Sequence, residues 1–263
     1  MYPSETGLRY GTLADFSRLL ALFETPDTYE LAVNEIARLL AMHPSKISRM
    51  LQTLAAEGLM ERDCRTGRYR VGMRLLFLGL NCLQSHPLRR IVLPHLEEIA
   101  RELGLFVSWA VFSQYKVLVI DRFQVEKLPP IRLFGVDLPL HCTAYGKLFV
   151  AFLPLSEQEQ LLRGLELTRF TDKTVANLED LKSELAKIKS QGYALDEGES
   201  CEELLTIAVP IFDSLSNVAA AITAAGIPGK DPISLERTLP YLLEKSLFIS
   251  RQLGFAPVSA ARL

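Results

Sequence analysis

The segment HPSKISRMLQTLAAEGLMERDCRTGRYRVG, residues 43–72, constrains the chain more than any other. Ile47, Met50, Leu51 and Leu54 recur at helical spacing and form one apolar stripe. Ser45, Ser48, Arg49 and Gln52 recur at the same spacing, displaced by two residues. Two residues amount to about 200° around a 3.6-residue helix, so the polar stripe faces away from the apolar one. Pro44 suits the first turn, where its missing N–H costs nothing, and Gly58 ends the helix. Residues 59–62 and 68–71 then read as two short strands around the turn DCRTG. Tyr69 and Val71 are expected to point inward, and Arg68 and Arg70 outward. A helix divided in this way buries one face in a domain and offers the other to a partner. The arginines of the hairpin make that partner acidic.

The preceding residues supply what such a helix packs on. Residues 12–24 read as a helix with Leu13, Phe16, Leu20 and Phe23 on one side and Thr12 or Asp15 near its start. ETPD, residues 24–27, breaks it. Val33, Ile36, Ala37 and Leu40 mark a second short helix, and AMHP is a tight turn into the third. Two short helices, a tight turn, a helix with a polar outer face and a basic hairpin make a winged helix-turn-helix. In that motif the third helix enters the DNA major groove. Here Pro44 would lead it in, and Ser45, Lys46, Ser48, Arg49 and Gln52 would reach the bases. Arg49 suits a bidentate pair with guanine and Gln52 a pair with adenine. Arg62, Arg65, Arg68 and Arg70 would neutralise phosphates or enter the minor groove. His43 would cap the helix or touch phosphate. Between residues 38 and 70 seven basic residues stand against three acidic ones, whereas the whole chain carries a net charge of -2. A nucleic-acid site must therefore be a local patch. The alternative is a solvated helix face beside a charged edge hairpin.

The 263 residues are ample for two domains. Residues 73–103 look helical twice, with Pro94 marking a kink or a late start. From residue 105 the pattern changes. LFVSWAVF and KVLVIDRF read as strands around SQY, and IRLFGVDLPL ends in a loop. CTAYGKLFVAFL is an apolar helix, and SEQE, residues 156–159, reads as a capping box for another. Residues 177–191 form an amphipathic helix ended by Gly192. TIAVPIFD and NVAAAITAAGI are strands, and residues 234–253 a closing helix. Strands and helices segregated in this way predict an α+β domain with a largely antiparallel sheet. The expected division is a DNA-binding domain over 1–72, a helical linker over 73–104 that helps dimerisation, and a ligand-binding domain over 105–263. The cysteines at 64, 82, 142 and 201 are too scattered for a metal knuckle, so reduced thiols and no metal or cofactor are expected. The start lacks a secretory pattern, and runs such as residues 218–227 are too short to span a bilayer. A cytoplasmic protein with no membrane partner is expected.

The segments EIARLLAMHPSKISRMLQTLAAEGLMERD and TGRYRVG, then LPLHCTAYGK, then GYALDEGES, TIAVPIFD and AAAITAAG, resemble in sequence and order the IclR family of bacterial transcriptional regulators. The resemblance covers residues 11–254. It implies a winged helix-turn-helix, a linker helix and a GAF-like effector domain. It also implies homodimers or homotetramers on palindromic double-stranded operators, and control of catabolic genes by repression or activation. The effectors it implies are small organic acids, among them aromatic acids and sugar acids from catabolic pathways. By resemblance Leu138, Ala144 and Tyr145 line the effector pocket on one side, and Asp196 faces it from a far loop. Leu204, Thr206, Thr223 and Ala225 come from two late strands. The family usually has a cysteine at the position of Thr206, and a hydroxyl residue at that of Ala225.

LPLHCTAYGK also reads physically. Thr143 would cap the following helix and leave the N–H groups of Ala144, Tyr145 and Gly146 free for a carboxylate. Gly146 would give room for a ligand or the sheet, and Lys147 would add positive charge nearby. Tyr145 and Trp109 raise a flat or aromatic ligand, with packing as the alternative. Adjacent His141 and Cys142 raise a nucleophile pair or a redox thiol. However, neighbours in an extended segment point apart, and no HExxH, P-loop or GxSxG motif accompanies them. No enzyme activity is expected. The remaining alternative is a DNA-binding regulator whose pocket is vestigial.

Overall fold

The computed structural model describes residues 11–24, 28–124 and 138–256. The predicted break over 24–27 and the loop of IRLFGVDLPL fall mostly outside them. The chain forms two compact units, the first ending at His86 and the second starting at Pro87.

In the first unit α1 (Gly11–Ala21), α2 (Val33–Leu40) and α3 (Pro44–Ala56) precede a hairpin of β1 (Met60–Arg62) and β2 (Tyr69–Val71). Leu19, Ile36, Ala37, Leu40, Ile47, Leu51, Met60 and Tyr69 make its core. Each buried aliphatic side chain there contributes about 1.5–3 kcal/mol. His43 caps α3, its Nδ1 accepting from the Ser45 amide at 3.3 Å. Val71 departs from the expected pattern. It is 42% exposed, because the small core beneath the hairpin ends at Met60 and Tyr69. Gly72 then brings two backbones together: a Cβ there would lie 2.3 Å from the Gly58 carbonyl oxygen. The helix α4 (Met73–Ser85) follows and buries no residue of its own.

The second unit opens with α5 (Pro87–Leu103), which runs through Pro94 without a late start. Its sheet comprises β3 (Phe106–Ser113), β4 (Lys116–Phe123), β5 (Ala194–Glu197), β6 (Leu205–Phe212) and β7 (Val218–Gly226). The spatial order is β4-β3-β7-β6-β5, and every neighbouring pair is antiparallel. The helices are α6 (Ala144–Phe152), α7 (Leu155–Arg163), α8 (Leu178–Gln191) and α9 (Leu235–Gln252). Strand alternation divides the sheet into two faces. Val107, Trp109, Ile207, Val209, Ile211 and Ile222 pack with α5 and α9 residues such as Leu96, Ile99, Leu242 and Ile249. Ala110, Ala194, Ala208 and Ala221 lie on the other face, under Tyr145 and Leu148 of α6 and Leu185 and Ile188 of α8. Alanines on that face let α6 approach closely.

Two local expectations are corrected. The helix α7 starts after Pro154, with no side-chain cap, so Ser156 and Glu159 are already inside it and form no capping box. The edge strand β5 was not expected from its four residues. Among the described residues no helix is long and apolar enough to cross a membrane. Nor does any group of three or more His, Cys, Asp or Glu side chains there suit a metal ion.

Candidate nucleic-acid interface and effector site

The outward face of α3 carries Ser45, Lys46, Arg49 and Gln52, all exposed, and half-buried Ser48. Pro44 is exposed at its start. Gln52 Nε2 donates to Ser48 Oγ at 3.4 Å, a weak tie that holds its amide along the helix. Lys46 is engaged with Asp15 of α1. In the hairpin turn the Asp63 carboxylate accepts from the amides of Arg65 and Thr66, both at 2.8 Å, and these bonds hold its pKa below the usual carboxylate range. Arg65 is therefore presented at a structured tip.

The four hairpin arginines divide into two kinds. The Arg68 guanidinium bonds Glu35 at 2.7 Å, Glu30 at 3.3 Å and the Glu30 carbonyl at 3.2 Å. Glu35 also accepts from the Ala32 amide at 2.7 Å, and that bond followed by Arg68 lowers its pKa. Arg68 thus ties the hairpin to the start of α2. Arg70 pairs with Glu61 at 2.9 Å. Arg62 lies over the Tyr69 ring, 5.9 Å from its centroid. Among the described residues Arg49, Arg62 and Arg65 make no ion pair. Exposed ion pairs are worth about 0–1 kcal/mol, so Lys46 and Arg70 could exchange their carboxylates for phosphates at little cost. Arg68, with three bonds, is the least available.

The second unit gathers most of the other predicted residues on one sheet face. Register places Phe106 and Thr206 across from Ala225, Ser108 and Ala208 across from Thr223, and Asp196 across from Thr206. Phe106, Leu204 and Ala225 form one apolar cluster. The N-terminus of α6 meets this face. Thr143 Oγ1 accepts from the Gly146 amide at 3.1 Å and donates to the Pro139 carbonyl at 2.7 Å. The Gly146 N–H is therefore not free for a ligand, contrary to expectation. Nor does Gly146 make room for ligand or sheet. A Cβ there would sit 2.5 Å from Leu140 Cα, so its smallness serves the chain's own preceding turn. Ala144 is buried on this side, and Leu138 packs half-buried beside α6.

Three polar groups behave differently from their sequence reading. Asp196 lies in β5, not in a loop. Its Oδ1 accepts from the amides of Glu199 at 2.8 Å and Ser200 at 3.2 Å, and its Oδ2 from the Ser200 hydroxyl. Burial nonetheless pushes its pKa up. Lys147 is fully buried and engaged by Glu184 at 2.6 Å and by Glu199. Burial raises the Glu199 pKa to about 7 despite that cation. The phenol of Tyr145 bonds Ser108 Oγ at 2.9 Å, and Ser108 Oγ bonds Thr223 Oγ1 at 2.9 Å.

Trp109 is not at this site. It is buried on the opposite sheet face, its Nε1 donating to Asp121 at 3.0 Å. Burial pushes the Cys142 thiol up to about 12, and His141 Nε2 bonds the Thr168 carbonyl at 2.9 Å. No Cys–His pair forms, and a thiol with that pKa is a poor nucleophile or redox sensor at neutral pH. The sequence reading missed Phe106 and Ser108. The signal was the alternation of LFVSWAVF, whose other phase carries Val107 and Trp109.

Comparison with known proteins covers both units. The family description IclR helix-turn-helix domain matches residues 17–63, and Bacterial transcriptional regulator IclR C-terminal matches residues 80–252. The chain is 32% identical to the HTH-type transcriptional regulator XynR of Escherichia coli K12, over 90% of this chain and 95% of that one. It is 32% identical to a glycerol operon regulatory protein of Streptomyces coelicolor, over 74% of this chain and 77% of that one. A putative IclR regulator from Silicibacter sp. TM1040 shares the fold, with a TM-score of 0.81 at 22% identity over 94% and 97% of the two chains. An IclR homolog from Microbacterium hydrocarbonoxydans, complexed with 4-hydroxybenzoate, gives 0.75 at 27% identity over 92% and 99%. With both halves matched and a relative 32% identical over 90% of this sequence, the chain belongs to the IclR family of bacterial transcriptional regulators.

Proposed function

We propose that this DNA-binding regulator reads a palindromic operator as a homodimer, alone or paired into a tetramer, and that a small organic acid in its second unit sets operator affinity. The observation that carries the DNA reading is the outward face of α3, where Arg49 stands exposed with no ion pair, between Ser45 and Gln52. Arg49 and Gln52 read base edges, Ser45 and Ser48 assist, and Lys46, Arg62, Arg65 and Arg70 hold phosphates. Arg68 positions the hairpin more than it binds DNA. Dimerisation is supported by α4, where Met73, Leu76, Phe77, Leu78 and Leu80 are 44–68% exposed. A second copy of α4 is the occupant that also gives the two-fold symmetry a palindrome requires.

The acid would sit by the start of α6, where the helix dipole favours negative charge. Leu138, Thr143, Ala144, Leu204, Thr206, Thr223, Ala225, Tyr145 and Asp196 surround that ground. The structurally related homolog with 4-hydroxybenzoate supports a carboxylic acid as the ligand class. A second reading is a regulator without an effector. The commitment of Asp196 to its own turn, and of Ser108 and Thr223 to Tyr145, favours it.

The test is binding of the purified protein to its own promoter fragments at several salt concentrations, with and without a panel of acids. Salt-dependent, sequence-selective binding that an acid shifts is the expected result. Selective binding that no acid shifts would leave the second reading. No selective binding at moderate salt would overturn the assignment of α3.

A further inference from the structure

Resting on the effector reading above, we infer that Tyr145 is a fixed internal wall that excludes aromatic acids and restricts the site to compact aliphatic acids of a few carbons. The sheet face opposite the start of α6 is lined by small or hydroxylated residues: Ser108, Thr223, Ala225 and, half-buried, Thr206. Against these small residues the chain lays a ring of its own. The Tyr145 phenol reaches the sheet and bonds Ser108, which bonds Thr223, and all three side chains are buried. The phenol takes the hydroxyl pair that would anchor the polar end of a phenolic ligand.

The ring is held rather than hinged. It stacks on Phe149 at 6.4 Å between centroids and 13° between planes. Phe149 stacks in turn on Phe112 at 5.3 Å and 17°. Swinging Tyr145 aside would break this ladder and cost the buried phenol its hydrogen bond to Ser108, a loss for a group with no access to water. What remains beside it is the apolar patch of Phe106, Leu204 and Ala225, with Thr206 as the nearby polar group. The chemistry of that patch, apolar with one hydroxyl, suits a carboxylate with a short apolar body. A benzene ring would compete with Tyr145 itself. Specificity then comes from a steric block against the larger acid, not from added contacts to the smaller one.

The experiment measures binding of glycolate, lactate, pyruvate, benzoate and 4-hydroxybenzoate by calorimetry to the full chain and to Tyr145→Ala. Competition between acids shows whether they share a site. Tyr145→Leu, closer in volume, serves where the alanine variant fails to fold, and Phe149→Ala is a cavity control on the same ladder. The expected result is saturable binding of a compact acid to the wild type. Benzoate affinity should rise at least about tenfold in the Tyr145 variants and not in Phe149→Ala, with the compact acid displacing benzoate. Wild-type binding of benzoate or 4-hydroxybenzoate as tight as that of the compact acids would overturn the wall and leave the effector reading standing. So would benzoate that enters Tyr145→Ala but is not displaced by the compact acid. No acid binding to any variant would overturn the effector reading and the wall with it.

Discussion

Replacing Lys147 by methionine tests the electrostatics of the second unit most directly. The Lys147 side chain is 0% exposed and is the cation among three carboxylates. Glu184 approaches from α8, Glu199 from the turn after β5, and Asp196 from β5 itself. Glu199 is the most exposed to the loss, since its Oε2 is buried without a hydrogen-bond partner even with Lys147 present. Its pKa of about 7, against the ordinary 4.5, means that ionising it in the fold costs about 3 kcal/mol. The sign follows from proton binding. Between pH 4.5 and 7 the folded state holds a proton on Glu199 that the unfolded chain has released. Stability from this group is therefore full below pH 4.5 and is lost as pH rises through 7.

Lys147→Met removes the attraction that offsets this penalty. Without its cation Glu199 takes up a proton at pH 8 instead of staying ionised, which forfeits about 1.4 kcal/mol beyond the loss at pH 5, so a loss of about 3 kcal/mol is expected at pH 8. At pH 5 Glu199 is protonated in the fold, and the loss should fall to about 1–2 kcal/mol. Adding Glu199→Gln should restore about half of the pH 8 loss, because no carboxylate is then left to take up that proton. The chain has one tryptophan, Trp109, fully buried in the second unit. Its fluorescence during urea unfolding, at fixed protein concentration, reports that unit alone. A loss under about 1 kcal/mol at pH 8, or the same loss at both pH values, would refute the reasoning.

The other predictions concern single contacts. Arg49→Ala should weaken operator binding by about 1–3 kcal/mol and relax one base position, read by gel shift on operator variants; unchanged binding would remove Arg49 from the interface. Arg65→Ala should weaken binding to all sequences alike and reduce the slope of log affinity against log salt by about one. Asp196→Ala should alter the response to effector and leave operator affinity without effector intact. It should also destabilise the second unit by about 1–3 kcal/mol, since the amides of Glu199 and Ser200 lose their acceptor. Cys142 should resist iodoacetamide at pH 8, where exposed Cys64, Cys82 and Cys201 are alkylated, as mass spectrometry would show.

The first unit was legible because its chemistry is periodic. The apolar stripe of α3 has to be Ile47 and Leu51, whatever packs on it, and its polar stripe then faces out. The cap at Thr143 was equally local, accepting the Gly146 amide, whereas the box read at residues 156–159 did not form. The strand β5 was harder to see, because four edge residues carry too little alternation to mark a period. Val71 was misjudged because alternation fixes which side a residue faces, not whether any core lies there.

What the sequence could not show is which polar groups are already taken. Lys46, Arg68 and Arg70 read as free cations beside Arg49 and Arg65, yet their partners Asp15, Glu30, Glu35 and Glu61 are reachable only once the fold sets the distances. Lys147 is the extreme case. One position beyond a glycine at a helix start, it looks aimed at a ligand, but its partners lie 37 and 52 residues away and draw it into the core. Tyr145 is the converse. An aromatic in a suspected pocket suggests an aromatic ligand, but once Ser108 is seen to bond its phenol, the same residue becomes the obstacle to one. A functional side chain is therefore identified by the bonds it has not made, and that inventory exists only in three dimensions.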